Sequence, residues 1–374
     1  MSERIERLLK LIHQEGYTGL ALNPGPSLVY LTGLHFHLME RPTVALFTDT
    51  GSAGIILPAL EGAKLANLPL AMEVFTFGDN PAAWDSAFQK AFKALGLNKG
   101  RIAVEPTRLR VLELRYLEGA GKDMKFVDGS TLLASLRMCK DAVEIKKMRQ
   151  AAIIAQKALL ETLKDVKVGM SEREIASKLV AQLYKGGSDT ELPFQPIVIS
   201  GPNSANPHAV PSERQLQDGD LLLIDWGAGV DGYFSDITRT FTVGGVDPEL
   251  LKIGDIVLAA NQAGRGSGGT GLVAGAVDRV TRAVIEKAGY GAYFTHRTGH
   301  GLGMEGHEAP YIYAENGLIL EEGMTFTVEP GIYLPGRGGV RIEDDVVVTG
   351  DGLESLTDLP RQLLPLESFN KGDL

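Results

Sequence analysis

Residues 221–240 read LLLIDWGAGVDGYFSDITRT, and this stretch decides the fold of the second half of the chain. The apolar run into Asp225 predicts a buried strand, and the glycine-rich middle predicts a hairpin turn. A register centred between Val230 and Asp231 places Asp225 directly opposite Asp236. Side chains opposite each other on paired strands lie about 5 Å apart at Cβ, where like charges repel. The acidic pair therefore predicts a cation between the two carboxylates.

A second acidic pair follows the same logic. The runs TFTVEPG and GVRIEDD flank a glycine-rich turn. Folding back near Gly336 places Glu329 opposite Glu343. Arg341 lies two residues before Glu343, so its side chain points to the same face of the strand. A single acidic pair is also typical of a solvated sheet edge, but two mirrored pairs favour a metal site.

Histidines provide the nitrogen donors. Three of the seven lie in HRTGHGLGMEGH, residues 296–307, and His208 stands apart. In an extended segment His296 and His300 share one face, and the glycines beside His300 let the backbone approach a ligand. These glycines also disfavour a helical His-x-x-x-His face. Cys139 is the only cysteine, which excludes an intramolecular disulfide and a cysteine-based zinc site.

The donor set predicts two metal ions. Four carboxylates balance two divalent cations, and one imidazole adds a neutral nitrogen. Such oxygen-rich sites favour manganese, with cobalt, iron or zinc as alternatives. Two ions about 3.5–4 Å apart can share a water and lower its pKa, which produces a nucleophile near neutral pH.

Length and composition limit the class of protein. A chain of 374 residues predicts two domains. A net charge of −10 argues against nucleic-acid binding. The first residues are too charged for a signal peptide, and no apolar run is long enough to span a bilayer. We therefore expect a cytoplasmic protein with no membrane partner.

Apolar patterning divides the chain at residue 131. Residues 1–131 predict a smaller α/β domain that opens with a helix and continues with strands at 19–22, 44–47, 54–57 and 102–104. Residues 132–374 predict an α+β domain with helices on a mostly antiparallel sheet. Two of its helices begin at capping boxes, Asp141 and Ser171. A later helical region is interrupted at residues 264–271, GRGSGGTG, which lacks the Lys-Ser/Thr ending of a phosphate loop and predicts a helix-to-helix loop.

Four motifs resemble the M24 metallopeptidases of the pita-bread (creatinase/aminopeptidase-like) fold, in the Xaa-Pro dipeptidase (prolidase) and aminopeptidase P branch. The motifs are PHAVP with GD at 207–220, DWG through SDITRT at 225–240, GHGLG followed by HE at 299–308, and VEPGIY followed by GVRIED at 328–344. YLTG at 30–33 resembles the N-terminal creatinase-like domain of the same branch. The resemblance implies a pita-bread catalytic domain over 132–374 and a creatinase-like domain over 1–131.

The resemblance also implies which residues bind metal, act in catalysis and bind the substrate. Asp225 would chelate one metal, Asp236 and Glu343 would bridge both, and His300 and Glu329 would bind the other. The implied catalytic set is His208, His307, Glu329 and Arg341, and the implied substrate-binding set is His208, His296, His307 and Arg341. The implied reaction is hydrolysis of the peptide bond before proline in dipeptides or short peptides.

Several alternatives stay open at this point. The chain could act as an aminopeptidase P-like or carboxypeptidase-like enzyme on longer peptides, or as a metal-retaining peptide-binding module without turnover. The resemblance implies a homodimer. It also suggests that His35, His37 or Arg41, in a loop that can reach a partner subunit's site in this family, helps set substrate length.

Overall fold

The computed structural model describes residues 3–66 and 70–370. The chain divides into two compact units, Met1–Arg137 and Met138–Leu374. Within the described residues, no helix combines the length and apolar character needed to cross a bilayer.

Unit 1 contains a six-stranded mixed sheet with helices. Its helices are α1 Glu3–Glu15, α2 Pro26–Thr32, α3 Trp84–Ala94, α4 Val111–Ala120 and α5 Ser130–Arg137. Its strands are β1 Gly19–Leu22, β2 Val44–Thr48, β3 Ala53–Pro58, β4 Glu73–Phe77, β5 Lys99–Val104 and β6 Asp123–Asp128. The strand order is β4-β3-β2-β1-β5-β6, with β1 antiparallel to β2 and parallel to β5. The predicted α/β character of this unit is confirmed.

Unit 2 combines longer helices with several small sheets. Its helices are α6 Ala142–Leu163, α7 Glu172–Lys185, α8 Pro248–Arg265, α9 Ala274–Lys287 and α10 Glu367–Asn370. Its strands are β7 Ile197–Ser200, β8 Leu221–Trp226, β9 Gly229–Val230, β10 Tyr233–Phe234, β11 Ile237–Thr242, β12 Gly299–Gly301, β13 Glu308–Ile312, β14 Thr325–Val328, β15 Gly331–Leu334, β16 Gly338–Arg341, β17 Asp344–Thr349, β18 Gly352–Ser355 and β19 Leu364–Pro365.

Local sequence signals determine where the helices of unit 2 begin. Both predicted capping boxes are present: Asp141 caps α6 with Glu144, and Ser171 caps α7 with Glu174. Helices α8 and α9 flank the glycine-rich stretch, as predicted. The indole of Trp226 is fully buried and donates its N–H to the carbonyl of Ala155 at 2.8 Å, which attaches β8 to α6.

The two main sheets of unit 2 are almost entirely antiparallel. One has the order β19-β11-β8-β7, in which only the β11–β19 pair is parallel. The other has the order β13-β12-β14-β17-β18. Strands β15 and β16 form a separate hairpin. The α+β prediction for this unit is confirmed.

The first acidic hairpin has a different register from the predicted one. Asp225 pairs with Thr238, not with Asp236, and Val230 pairs with Tyr233. The turn therefore centres on Asp231 and Gly232, whose φ angles are 49° and 76°. An Asp-Gly pair with two positive φ angles is typical of the tight turns that match strand twist. The partner of Asp225 is displaced by two residues, from Asp236 to Thr238, which moves the centre of the hairpin by one residue. Because side chains alternate with a period of two, Asp225 and Asp236 remain on the same face.

The second acidic hairpin has the predicted register. Gly331 pairs with Arg341 and Leu334 with Gly338, which centres the turn on Gly336 at a φ of 73°. Continuing this pairing by two residues aligns Glu329 with Glu343. The predicted strand 339–345 is interrupted, however, because β16 ends at Arg341 and β17 begins at Asp344. The interruption frees Glu343 to form a bridge with Thr238 of β11.

Candidate metal centre

A row of paired residues forms the floor of the site. Ile197 of β7 pairs with Asp225 of β8, Asp225 pairs with Thr238 of β11, and Thr238 pairs with Glu343. Opposite residues in antiparallel strands present their side chains on the same face. The two acidic hairpins, distant in sequence, thus meet at Thr238, whose hydroxyl donates to Glu343 Oε2 at 2.6 Å.

The five predicted metal ligands line a cleft of about 510 Å³ in unit 2. Ligand atoms of Asp236, His300 and Glu343 lie within 4.8 Å of one another, and all three residues are buried. Nε2 of His300 lies 3.3 Å from Glu329 Oε1 and 3.8 Å from Asp236 Oδ2. The other four predicted site residues, His208, His296, His307 and Arg341, line the same cleft.

The carboxyl groups are electrostatically destabilised as anions. Burial, followed by the charges of Glu343 and Asp225, raises the pKa of Asp236 well above its usual range. Burial and the charges of Glu329 and Asp225 do the same to the pKa of Glu343. Desolvation raises the pKa of Glu329 to about 7, although the charge of Arg341 opposes it. A bound cation would relieve this repulsion, because it favours the ionised forms.

Further properties of the cluster match a divalent ion. Among the described residues, Oδ1 of Asp225 is buried without a hydrogen-bond partner, which is unfavourable for a carboxylate unless another group binds it. Burial lowers the pKa of His300 well below its usual range, so its imidazole is neutral and able to ligate. Buried carboxylates with one neutral imidazole suit a hard or borderline divalent cation.

Arg341 holds Asp225 in place from the second hairpin. Its Nη2 donates to Asp225 Oδ2 at 2.6 Å, its Nε to the Thr238 hydroxyl at 3.1 Å, and its Nη1 to the Tyr333 hydroxyl at 3.0 Å. The side chain is buried, with 3% of its surface exposed. Arg341 therefore orients one oxygen of Asp225 and leaves the other directed to the cluster.

Tyr333 and His296 form a second supporting pair. The Tyr333 hydroxyl donates to Nε2 of His296 at 2.8 Å, because Nδ1 of the neutral ring carries the proton, and the hydroxyl oxygen accepts from Arg341. Nδ1 of His296 in turn donates to the carbonyl of Arg297 at 2.8 Å. Burial lowers the pKa of His296 to about 4, so this neutral tautomer persists at physiological pH.

His307 and His208 contribute imidazoles beside the cluster. The ring of His307 lies 3.8 Å from that of His300, centroid to centroid. His208 is exposed, and its backbone N–H donates to Asn206 Oδ1 at 3.3 Å. Both rings border the cleft, where a substrate carbonyl could reach them.

Two aspartates that follow Glu343 support the ligands from behind. Asp345 accepts the backbone N–H of Asp236 at 2.9 Å. Asp344 is fully buried and accepts from Arg239, Arg361, Asn261 and Thr357 at 2.7–3.0 Å. Arg239 also donates to the carbonyl of Glu343 at 2.6 Å. These bonds fix the backbone that carries Asp236 and Glu343.

Sequence reasoning missed several residues that shape the site. Thr238 would have been found from the Asp-Gly turn signal, which gives the correct register. Tyr333 lies within the VEPGIY motif, but the motif by itself does not indicate what the side chain does. Arg297 also lines the cleft, and no local pattern singles it out. In unit 1, His35 and His37 are exposed and Arg41 pairs with Glu40 and Asp79. The hypothesis that these three residues set substrate length stays a prediction.

The fold and the buried donor cluster define a metal-dependent hydrolase of the two-domain creatinase type. Residues 146–350 match the model of metallopeptidase family M24, and residues 4–139 match the creatinase/prolidase N-terminal domain. The chain belongs to metallopeptidase family M24.

Named relatives and solved structures agree with this assignment. The chain is 36% identical to an Xaa-Pro dipeptidase from Lactobacillus helveticus, over 89% of this chain and 91% of that protein. It resembles the structure of a dipeptidase from Pyrococcus horikoshii OT3, with 41% identity, a TM-score of 0.91, and coverage of 97% and 99% of the two chains. It also resembles a prolidase from Thermococcus sibiricus, with 35% identity, a TM-score of 0.92, and coverage of 98% and 99%.

Proposed function

We propose that this protein is an Xaa-Pro dipeptidase that hydrolyses the peptide bond before proline with the help of two divalent metal ions. The observation that carries the proposal is the convergence of Asp225, Asp236, His300, Glu329 and Glu343 on one cleft, which three further histidines and Arg341 also line. Ligand atoms of Asp236, His300 and Glu343 form a buried cluster within it. Relatives named Xaa-Pro dipeptidase and prolidase support the proline specificity.

The five ligand residues would hold the metals in the roles that the resemblance implies. Asp225, Asp236, Glu329 and Glu343 would supply the carboxylate donors and His300 the imidazole donor. When bound, the ions would supply Lewis acidity and a water of lowered pKa. The chain contributes the positions of the ligands, through Arg341 at Asp225 and Thr238 at Glu343.

Protein side chains would handle the substrate and the proton. His208 or His307 would donate a hydrogen bond to the carbonyl oxygen as it gains negative charge. Glu329 or Glu343 would carry a proton toward the departing proline nitrogen. Arg341 and His296 would line the proline side.

Proline imposes a particular demand on the cleft. Its nitrogen carries no hydrogen in the peptide bond, so a peptidase cannot hold the substrate through that N–H. Recognition then depends on shape. Phe194, Ile197 and Pro207 contribute apolar surface to the cleft, which suits a pyrrolidine ring.

Metal removal tests the proposal. Dialysis against a chelator should abolish hydrolysis of Ala-Pro, and added manganese or cobalt should restore it. Full activity of a preparation shown to be metal-free by elemental analysis would contradict the mechanism. If the metal-loaded protein binds Ala-Pro without cleaving it, the chain is a peptide-binding module.

Peptide length separates the enzyme alternatives. A dipeptidase should cleave Ala-Pro and leave both Ala-Pro-Ala and longer peptides intact. An aminopeptidase P-like enzyme would cleave Ala-Pro-Ala, and a carboxypeptidase-like enzyme would prefer a longer peptide that ends in proline. Rates on the three substrates at equal concentration decide among them.

The native ion, the assembly and the location are further parts of the proposal. We propose manganese because the donor set is rich in oxygen, and a homodimer by analogy with the family. The single cysteine supports a reducing compartment such as the cytoplasm. Elemental analysis of the native protein, light scattering and cell fractionation test these points separately.

A further inference from the structure

The segment that carries His208 has little packing of its own. It connects Ser200, the last residue of β7, to Ser212, and it brings Pro207 and His208 to the cleft. No side chain from residue 205 to residue 211 is buried, and His208 itself is exposed. Keeping such a segment in one conformation opposes its conformational entropy. The bonds that hold it must therefore come from neighbouring elements of unit 2.

One buried carboxylate binds both ends of this segment. Glu172, the first residue of α7, is 1% exposed. Its Oε1 accepts from the backbone N–H and the hydroxyl of Ser200, at 2.7 and 2.9 Å. Its Oε2 accepts from the same two groups of Ser212, at 3.0 and 2.6 Å. The side-chain amide of Asn203 donates to both oxygens, at 3.1 and 3.2 Å, so Glu172 joins the start of the segment to its end.

Between its ends, the segment contacts the hairpin that carries Arg341. The hydroxyl of Ser204 accepts the backbone N–H of Gly339 in β16 at 2.8 Å. A Cβ on Gly339 would lie 2.3 Å from the carbonyl oxygen of Ser204, so only glycine allows this approach. The carbonyl of Pro207 accepts from Arg341 at 3.4 Å. Movement at either end of the segment would therefore shift His208 relative to this hairpin.

The hydrogen bonds require a carboxylate at position 172. A carboxylate has two oxygens and no hydrogen, so it accepts on both sides, whereas a backbone N–H can only donate. One backbone N–H faces each oxygen, from Ser200 on one side and from Ser212 on the other. Glutamine would direct its NH2 group at one of these donors, which is unfavourable in a buried position. Glu172→Gln should therefore release one end of the segment.

We infer that Glu172 is a positioning residue, which holds both ends of residues 201–211 and thereby keeps His208 at the cleft. The inference rests on the proposed function where it concerns turnover, because His208 is one of the two imidazoles proposed to bind the carbonyl oxygen. Glu172 does not line the cleft. It would act on turnover through His208, without contact with the substrate.

Two substitutions in the first turn of α7 test this role. Glu172→Gln should lower kcat for Ala-Pro roughly 10- to 100-fold with a much smaller change in KM, because His208 would stabilise charge that develops in the transition state. Glu174→Gln is the matched control. It removes the same charge from the same turn, and glutamine can still accept the backbone N–H of Ser171 in the capping box. The control should keep the wild-type kcat, and both variants should keep their metal.

A double-mutant cycle shows whether Glu172 acts through His208. His208→Ala should lower kcat at least as much as Glu172→Gln does. Adding Glu172→Gln to His208→Ala should then cause less than about a twofold further loss, whereas residues that act independently give losses that multiply. Losses that multiply, or an unchanged kcat in Glu172→Gln, would overturn the inference.

Hydrogen exchange followed by mass spectrometry provides a readout that does not depend on turnover. Peptides that cover residues 201–211 should exchange faster in Glu172→Gln than in the wild type or in Glu174→Gln, because one end of the segment is released. Peptides that cover β8 and β14 should exchange as in the wild type. Equal exchange of residues 201–211 in all three proteins would contradict the role of Glu172.

Ser212 provides the same test from the other side of the bond, should Glu172→Gln fail to fold. Ser212→Ala removes the hydroxyl that donates to Glu172 at 2.6 Å, and Ser212→Thr keeps a hydroxyl there. Alanine should lower kcat and accelerate exchange of residues 201–211, and threonine should restore both; equal behaviour of the two variants would count against the inference. If the wild type hydrolyses no Xaa-Pro peptide, the proposed function fails, while the exchange comparison still decides whether Glu172 holds the segment.

Discussion

Asp236 is the residue at which the repulsion within the cleft is most concentrated. It is buried, and both burial and the charges of Glu343 and Asp225 raise its pKa. Its backbone is fixed by Asp345, so the carboxyl group cannot move far to escape the repulsion. In the proposed site, it would be one of the metal ligands.

Replacing Asp236 with asparagine should remove metal and activity together while the fold survives. Activity should fall by more than the roughly 10- to 100-fold that is usual when a residue only supports a metal ligand. The metal-free variant should melt at or above the temperature of the metal-free wild type, because one buried like charge is gone. Elemental analysis, Ala-Pro hydrolysis and a thermal melt test this, and a variant that retains full metal content would contradict it.

Helices α8 and α9 pack closely because of a glycine. A Cβ on Gly264 would lie 2.8 Å from Cγ1 of Val328 and even closer to the hydroxyl of Thr281 on α9. Val328 directly precedes the predicted ligand Glu329. Gly264, the first residue of the glycine-rich stretch, therefore has to be a glycine for α8 to lie this close to α9 and β14. At the other end of the stretch, a Cβ on Gly271 would meet no atom within 4 Å.

Gly264→Ala should destabilise the protein by about 1–3 kcal/mol, although alanine is the better helix former. Gly317→Ala is the matched control, because its Cβ would meet no atom within 4 Å. The control should be neutral or slightly stabilising. Urea denaturation of both variants measures the difference. Equal stability of the two variants would mean that α8 and α9 separate easily.

Asp344 joins several elements of unit 2 through buried charges. Burial alone would raise its pKa, but the charges of Arg239 and Arg361 hold the pKa well below its usual range. Arg239 belongs to β11, and Asn261 and Arg265 belong to α8. The carboxylate therefore connects a strand of the metal-site floor to the helix behind it.

Asp344→Asn should lower the free energy of unfolding by about 3 kcal/mol or more, because it leaves buried arginines without their counter-charge. Glu354→Gln breaks an exposed ion pair with Arg149 and should cost less than about 1 kcal/mol. Denaturation midpoints of the two variants provide the measurement. Similar losses in both would show that the charge of Asp344 contributes little.

At the scale of the whole molecule, the carboxyl groups of the cleft make the free energy of unfolding depend on pH and on metal binding. In the metal-free protein, Glu329 has a pKa of about 7 instead of its ordinary 4.5. Between these two values the folded state binds more protons than the unfolded state. Stability is therefore greatest at the acidic end of this window and falls as pH rises through it.

Thermal melts of metal-free protein should show this loss between about pH 4.5 and 7. The raised pKa of Glu329 alone accounts for a loss in the free energy of unfolding on the order of 3 kcal/mol. Manganese should remove the loss, because the ion replaces the protons that hold the cluster together. Glu329→Gln should flatten the metal-free profile. The lowered pKa values of His296 and His300 act in the opposite direction, so the comparison with Glu329→Gln decides, and identical pH profiles for the two proteins would contradict the assignment.

The amino-acid sequence by itself predicted the residues that the structure brings into one cleft, and much of their local structure. Helix capping at Asp141 and Ser171 and the turn at Gly336 depend on neighbouring residues, so they could be predicted. The Asp231-Gly232 turn was equally local, but centring the hairpin one residue too early paired Asp225 with the wrong residue. Because side chains alternate with a period of two, that error left both aspartates on the correct face.

Only the tertiary structure decided how the pieces meet. The bridge between Thr238 and Glu343 joins hairpins about a hundred residues apart, and the hydrogen bond from Tyr333 to His296 and the stacking of Arg297 on Tyr311 join segments that no local pattern relates. Such contacts follow from the packing of several elements at once. For that reason the sequence predicted which residues could bind metal, whereas the fold determined which of them meet in one cleft and which side chains hold them there.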